Sequence, residues 1–164
     1  PEKGIHYLIE AYKNLQTDKK LVIAGGSSDS GDYEQKLKEM AQKNENILFT
    51  GFVQGRILEE LYSNAYIYVL PSDLEGMPLS LLEAMSYGNC CVTSDIEECT
   101  QVVEDHGVTF PKGDVVALAD CLQGLYDNER SVGVYKAAAA DYITGVYDWD
   151  DVVKRTLDIY GGLR

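Results

Sequence analysis

Short apolar segments alternate with segments of helical spacing along most of the chain, and this alternation limits the folds available to it. The apolar segments cover residues 21–24, 46–50, 66–70, 89–93 and 108–110. Residues 66–70 combine aromatic and β-branched side chains without interruption, which predicts a strand buried on both faces. Buried strands that alternate with helices predict an α/β fold, here a Rossmann-like doubly wound parallel sheet with helices on both faces.

Helical patterns fill the intervals between these strands. They cover residues 5–15, 32–43, 57–64, 78–87, 115–126, 131–143 and 150–160. Asp32 is a candidate N-cap for the second helix, and Gly88 is a candidate C-cap for the helix before the fourth strand. The 164 residues suffice for one domain with a substantial core.

The ends of the strands indicate where a ligand is expected. Right-handed crossovers bring the carboxyl ends of parallel strands to one edge of the sheet, and ligands of such folds bind at that edge. Four strand-ending loops are therefore expected to gather there, namely those at Gly25, Gly51, Pro71 and Ser94.

One of these loops leads directly into a helix. Pro78 suits the first helical position, where its missing N–H costs nothing. The backbone N–H groups of Leu79, Ser80 and Leu81 would then point back toward the loop, and a helix start of this kind is a ready site for phosphate. The sequence therefore predicts an anion site between residues 71 and 81.

Two carboxylates accompany this predicted anion site. Glu75 precedes Pro78, and Glu83 follows it within the helix. Hydroxyl groups of a sugar and a ribose need acceptors, which carboxylates supply. Side chains of a helix lean toward its N-terminus, so Glu83 is expected at the mouth of the site and Glu75 at its rim. The alternative functions are structural: Glu75 would complement the helix dipole, and Glu83 would lie on a solvated helix face.

The segment EGMPLSLLEAMSYG, in which seven residues separate the two glutamates, resembles the E-x7-E motif of retaining glycosyltransferases with the GT-B fold. The chain resembles the family 4-type, or group 1, enzymes from Pro1-Glu-Lys-Gly through Gly51-Phe-Val to the region of Trp149. The resemblance implies the C-terminal half of such an enzyme, which binds a nucleotide-diphosphate sugar. The full-length enzyme would move that sugar to an acceptor hydroxyl with retention of configuration.

The resemblance also implies roles for individual residues. Glu75 and Lys3 would be the catalytic residues: Glu75 would hold the donor sugar, and Lys3 would neutralise the diphosphate together with an arginine that precedes residue 1. Glu83 would bind the ribose. The remaining donor contacts would come from backbone groups: Gly76, Met77 and Leu79 near sugar and phosphate, Gly25 and Gly26 at a close approach, and Phe52 and Val53 beside the base. Packing explains the phenylalanine at position 52 equally well.

The resemblance further implies that residues 1–164 are one nucleotide-sugar-binding domain, which lacks its first strand and the N-terminal acceptor domain. Residues 146–164 would form a C-terminal helix that crosses back to the missing domain. The fragment alone is expected to be inactive, and any membrane contact is expected through the missing domain.

Composition excludes several classes of function. The formal net charge of −13 argues against a nucleic-acid partner, because phosphate backbones require a basic surface. No apolar segment reaches the length of a membrane span. The four cysteines have no metal-binding spacing, so we predict reduced, packed thiols at Cys90 and Cys91 and a cytoplasmic location. No metal site and no cofactor are predicted beyond the donor substrate, whose base is left open.

The segment Ile96-Glu-Glu-Cys-Thr-Gln101 departs from the family pattern, which often has glycine and Pro-Glu pairs there. Glu97 and Glu98 would repel a diphosphate unless both side chains turn outward.

There are two alternatives to a glycosyltransferase function. A non-catalytic nucleotide-binding module of Rossmann-like fold remains an alternative. A dinucleotide-dependent oxidoreductase is disfavoured, because no G-x-G-x-x-G follows the first strand.

Overall fold

Strands and helices alternate as far as the fifth strand, and three helices then follow. The structure is a computed structural model that describes residues 1–26, 31–42 and 44–162. Its elements are α1 (Ile5–Lys13), β1 (Leu21–Ala24), α2 (Asp32–Ala41), β2 (Ile47–Gly51), α3 (Arg56–Asn64), β3 (Tyr68–Leu70), α4 (Leu79–Ser86), β4 (Cys91–Ser94), α5 (Glu97–Val103), β5 (Val108–Phe110), α6 (Val115–Tyr126), α7 (Glu129–Val146) and α8 (Trp149–Gly162).

The strands form two hydrogen-bonded groups, and every pairing between them is parallel. β1 pairs with β2, so that Leu21 lies opposite Ile47. The second group has the order β3-β4-β5. The predicted α/β fold with parallel strands and helices is confirmed. Instead of one continuous sheet, however, the described residues form a two-stranded and a three-stranded sheet.

Helix α1 packs against both groups of strands. Leu8 and Ala11 belong to an apolar cluster that includes residues of β4 and β5. Ile9 and Tyr12, on the other side of the same helix, belong to a cluster that includes Ile47 of β2. The spacing of these residues gives α1 two apolar faces, and the helix thereby joins the two cores.

β4 is buried along its whole length, as predicted for a strand covered on both faces. Cys90 and Cys91, before and at its start, are buried free thiols. Burial raises the pKa of the Cys90 thiol to about 12, so the group stays protonated at neutral pH. The prediction of packed thiols at these two positions is confirmed.

Several predicted details differ from the structure. The seven-residue helix α5 was not predicted, because two glutamates open it and its few buried residues give a weak pattern. Gly31 rather than Asp32 occupies the N-cap of α2, with a positive φ that suits glycine. Pro78 is the N-cap of α4 rather than its first helical residue. Tyr87 is the C-cap of α4, and Gly88 follows it with φ +71°.

Helix α8 differs from the other helices, because none of its residues is buried. Large apolar side chains on it are exposed, among them Trp149, Leu157 and Ile159. Across the described residues, no helix is long and apolar enough to cross a bilayer.

Asn89 joins three elements and was not singled out by the sequence. Its side chain is 1% exposed, and Nδ2 donates to the carbonyl oxygens of Tyr62 and Ala84, each at 2.9 Å. Asn89→Ala would leave both buried acceptors without this donor. We expect a loss of about 2–3 kcal/mol in the free energy of unfolding.

Urea unfolding followed by circular dichroism measures this loss. Asn64→Ala is the control, because exposed Asn64 makes a comparable bond to the Glu60 carbonyl at 2.8 Å. The control is expected to change stability by less than about 0.5 kcal/mol. Equal changes in the two variants would contradict the role assigned to Asn89.

Candidate active site

The loop after β3 lies against the segment that precedes α1. The N–H of Asp73 donates to the carbonyl of Glu2 at 2.7 Å, and the hydroxyl of Tyr7 donates to Oδ2 of Asp73 at 3.2 Å. Gly4 adopts φ +63°, and a Cβ atom there would stand 1.8 Å from the carbonyl oxygen of Pro71. Only glycine permits this approach, so the two segments meet backbone to backbone.

This contact brings Lys3 and Glu75 together, although 72 positions separate them in sequence. Nζ of Lys3 lies 2.8 Å from Oε1 and 2.9 Å from Oε2 of Glu75. The Glu75 side chain is 7% exposed and that of Lys3 is 56% exposed. A buried carboxylate requires a charged or hydrogen-bonding partner, and Lys3 provides one while its ammonium group stays open to solvent.

Two serines complete the surroundings of Glu75. Ser72 donates its hydroxyl to Oε1 of Glu75 at 2.6 Å, and Ser94 donates its hydroxyl to the carbonyl of Ser72. Both serines are fully buried. They follow or end neighbouring parallel strands, which explains why their side chains meet. Both belong to segments that were expected at the ligand edge of the sheet, but neither side chain was predicted to contact Glu75.

The start of α5 lies close enough to Glu75 to share its electrostatic field. The pKa of the Cys99 thiol is raised to about 12, chiefly by burial and then by the negative charges of Glu75 and Glu98. Glu97 lies along its own helix, where Oε1 accepts from Nε2 of Gln101 at 2.9 Å. Of the two acidic residues expected to repel a diphosphate, Glu97 is exposed and bonds within its own helix, whereas Glu98 is half-buried beside Cys99.

The first turn of α4 uses two of the backbone groups that were expected to face the loop. The N–H of Leu79 donates to the carbonyl of Met77 at 2.8 Å, and that of Leu81 donates to the carbonyl of Pro78 at 2.9 Å. The expectation of three free N–H groups is thus wrong for these two, because Pro78 forms a turn at the N-cap. The side chains of Met77 and Leu79 are exposed, and so is Gly76.

Glu83 contacts a different element from Glu75. It is an exposed residue of α4, and its Oε2 accepts a hydrogen bond from the hydroxyl of Tyr62 on α3 at 3.0 Å. Tyr62, which lies 21 positions away, was not among the residues predicted for the site. Glu83 therefore remains open to solvent while its carboxylate is held on one side.

The loops after β1 and β2 form a second group of predicted site residues. The N–H of Gly25 donates to the carbonyl of Gly51 at 2.9 Å, and Gly26 lies next to the backbone of Phe52. The Phe52 side chain is 78% exposed, and Val53 is half-buried. The structure thus brings Gly25, Gly26 and the segment after β2 together, as predicted. The serine-rich segment 27–30 lies outside the described residues.

Comparison with known proteins identifies the family. Residues 1–128 match the family described as glycosyl transferases group 1. The chain belongs to the group 1 glycosyl transferases.

Individual relatives in this family match nearly the whole chain. An uncharacterised glycosyltransferase of Methanocaldococcus jannaschii is 32% identical, over 97% of the chain and 42% of the relative. O-antigen chain mannosyltransferase B of Escherichia coli is 30% identical, over 98% of the chain and 43% of the relative. The chain thus spans less than half the length of these relatives.

Solved structures confirm the fold of the group 1 domain. Sucrose-phosphate synthase of Thermosynechococcus elongatus superposes with a TM-score of 0.88 at 24% identity, over 99% of this chain and 42% of the other. Anabaena HepE in complex with UDP-glucose superposes with a TM-score of 0.92 at 18% identity, over 99% of this chain and 46% of the other.

The described part of the group 1 domain offers no cluster of three or more His, Cys, Asp or Glu side chains that could hold a metal ion. Near the carboxyl end of β3 the Asp73 carboxylate accepts a hydrogen bond from Tyr7, while the Glu75 carboxylate and the Lys3 ammonium are in direct contact. Such a pair accepts hydrogen bonds from hydroxyl groups and attracts an anion at the same place. The pair therefore suits a ligand that carries hydroxyl groups and a negative charge close together.

Proposed function

We propose that the chain is the donor-binding, C-terminal half of a retaining glycosyltransferase. It binds a nucleotide-diphosphate sugar, and the full-length enzyme moves the sugar to an acceptor hydroxyl. The observation that carries this proposal is the nearly buried Glu75 carboxylate, held by Lys3 and Ser72 at the carboxyl end of β3. The names of the relatives, a mannosyltransferase and a protein in complex with UDP-glucose, support a sugar nucleotide as ligand.

Glu75 and Lys3 perform complementary tasks in this proposal. The Glu75 carboxylate accepts hydrogen bonds from hydroxyls of the donor sugar and thereby fixes its orientation. The exposed ammonium of Lys3 stabilises the negative charge that grows on the diphosphate as the bond to the sugar breaks. Because Lys3 contacts Glu75 directly, the sugar and the diphosphate are bound side by side at that point.

The remaining predicted residues bind the nucleotide. Glu83 accepts hydrogen bonds from the ribose hydroxyls, and Phe52 and Val53 flank the base. Gly25 and Gly26 let the backbone approach the ligand, and Gly76, Met77 and Leu79 border the sugar and the diphosphate. Since the N–H of Leu79 is bonded to Met77, contact of Leu79 with phosphate requires this turn to open.

The acceptor is bound by a part of the polypeptide outside this chain. The shares of 42% and 43% of the relatives' lengths support this proposal. The exposed apolar residues of α8 support packing of that helix against the remaining part. Transfer requires no divalent ion, because its charge stabilisation comes from Lys3. The activity of the full-length enzyme should therefore survive an excess of EDTA.

Calorimetric titration with UDP-glucose, GDP-mannose and ADP-glucose tests donor binding. The full-length polypeptide is expected to bind one of them, and Glu83→Ala is expected to lower that affinity by about 10-fold. Failure of all three to bind would overturn the proposal. Binding without any transfer to acceptor hydroxyls would favour the non-catalytic nucleotide-binding module.

A further inference from the structure

We propose that Tyr62 is a positioning residue that fixes the Glu83 carboxylate for the two ribose hydroxyls of the nucleotide. This inference rests on the proposed function, in which Glu83 binds the ribose. The hydroxyl of Tyr62 on α3 donates to Oε2 of Glu83 on α4 at 3.0 Å. Glu83 is exposed, so without this contact its side chain would sample several rotamers.

The ring of Tyr62 is itself held rigidly. Its side chain is 9% exposed and belongs to a buried cluster that includes Leu81 and Met85 of α4. The ring stacks on that of Tyr87, with centroids 5.4 Å apart and an angle of 23° between the planes. A rigid ring delivers its hydroxyl to a fixed point, which a flexible side chain does not.

The backbone of Tyr62 is fixed as well. Its carbonyl accepts a hydrogen bond from Asn89, which also bonds the carbonyl of Ala84 in α4. The two ends of the tyrosine are thus tied to the same helix, one through Asn89 and the other through Glu83. This arrangement sets the distance between α3 and the carboxylate of Glu83.

The hydroxyl of Tyr62 can donate one hydrogen bond, and Glu83 is the acceptor. The carbonyl oxygen of Ser80 lies 3.4 Å from the same hydroxyl, which is longer than the 3.0 Å contact with Glu83. A carboxylate is also the stronger acceptor of the two. Burial raises the pKa of the Tyr62 phenol far above its usual range, so the donor keeps its proton at every working pH.

The contact leaves capacity for the ligand. An ionised carboxylate accepts about four hydrogen bonds, and Tyr62 uses one of them. Two neighbouring ribose hydroxyls would use others. Because the carboxylate is already oriented, the ligand does not pay the full entropy of ordering the side chain, which amounts to a gain of about 5-fold in affinity.

Titration of the full-length polypeptide with UDP and with dideoxy-UDP, which lacks both ribose hydroxyls, tests this inference. If the wild type prefers another base in the donor titration, the corresponding pair of nucleotides is used. Tyr62→Phe keeps the ring and its stacking but removes the hydroxyl. We expect it to weaken UDP about 5-fold and to leave the affinity for dideoxy-UDP unchanged. In a Glu83→Ala background, Tyr62→Phe should have no further effect.

Tyr68→Phe is the matched control. Tyr68 also donates its hydroxyl to α4, but to Oγ of Ser80 at 2.9 Å. This variant is expected to bind both nucleotides as the wild type does. Unchanged UDP affinity in Tyr62→Phe would overturn the inference, and so would an equal loss for both nucleotides or an equal loss in the control. If the wild type binds no nucleotide, the proposed function itself fails, which is a distinct result.

Discussion

Glu75→Gln is expected to lower the rate of sugar transfer by the full-length enzyme by at least about 100-fold, a loss typical of removing one charged group that acts in the transition state. Glutamine keeps the size of the side chain but replaces one acceptor oxygen with a donor. The sugar hydroxyls and the hydroxyl of Ser72 then lose their ionised acceptor, and Lys3 loses its ion pair.

Substitutions of Glu75 and Lys3 are expected to have different effects on ligand binding. In Glu75→Gln, affinity for the nucleotide sugar falls about 10-fold or more, since hydrogen bonds to a charged group are worth about 1.5–3 kcal/mol. Affinity for UDP without the sugar stays at the wild-type level or rises, because the ammonium of Lys3 is no longer neutralised. Lys3→Gln should instead weaken UDP and UDP-sugar alike.

Calorimetry with the two ligands and a transfer assay measure these differences. Glu97→Gln serves as the control, since Glu97 is exposed and bonds Gln101 of its own helix. It is expected to bind and transfer as the wild type does. A Glu75→Gln enzyme that keeps its rate within a few-fold, or that loses UDP as strongly as UDP-sugar, would refute the role assigned to Glu75.

Gly4→Ala is expected to destabilise the fold by about 3 kcal/mol or more, because the new Cβ meets backbone rather than a movable side chain. That atom would stand 1.8 Å from the carbonyl oxygen and 2.8 Å from the carbonyl carbon of Pro71. The segment before α1 must therefore move away from the loop after β3. Lys3 moves with it, so the ion pair with Glu75 and the affinity for UDP should be lost as well.

Gly31→Ala separates steric overlap from backbone strain. Gly31 adopts φ +73°, close to the +63° of Gly4, but an added Cβ would meet no atom of the residues that the structure describes within 4 Å. Its cost is expected to stay near 1 kcal/mol, the usual strain of a non-glycine residue in this conformation. Urea unfolding of both variants gives the comparison. Equal losses of stability in the two variants would show that steric overlap with Pro71 does not contribute to the loss in Gly4→Ala.

The parallel α/β fold was predictable because local patterns of apolar residues mark its strands and helices. β1, β5 and α6 are examples. The segments 21–24, 108–110 and 115–126 coincide with the observed elements. The contact between Lys3 and Glu75 was anticipated only through the family resemblance, which assigned both residues to one ligand. Spacing within the sequence carries no information about a pair 72 positions apart.

The residues that support the site were not predictable in the same way. Ser72, Ser94, Tyr62 and Asn89 are ordinary residues for their segments, and their roles arise from hydrogen bonds between elements. The turn at Pro78 was also misjudged, since a proline fits the N-cap as well as the first helical position. In each case the decisive partner lies in tertiary structure or in a local backbone angle.

The double packing of α1 makes the position of the Lys3 ammonium sensitive to the packing of two apolar clusters. Leu8 anchors the helix in one apolar cluster and Ile9 in the other. A smaller apolar side chain in either cluster would let the helix tilt and would move Lys3, which precedes the helix, away from Glu75. Suppressor mutations that restore transfer to an enzyme with a defective interior should therefore arise in the opposite cluster, far from the diphosphate.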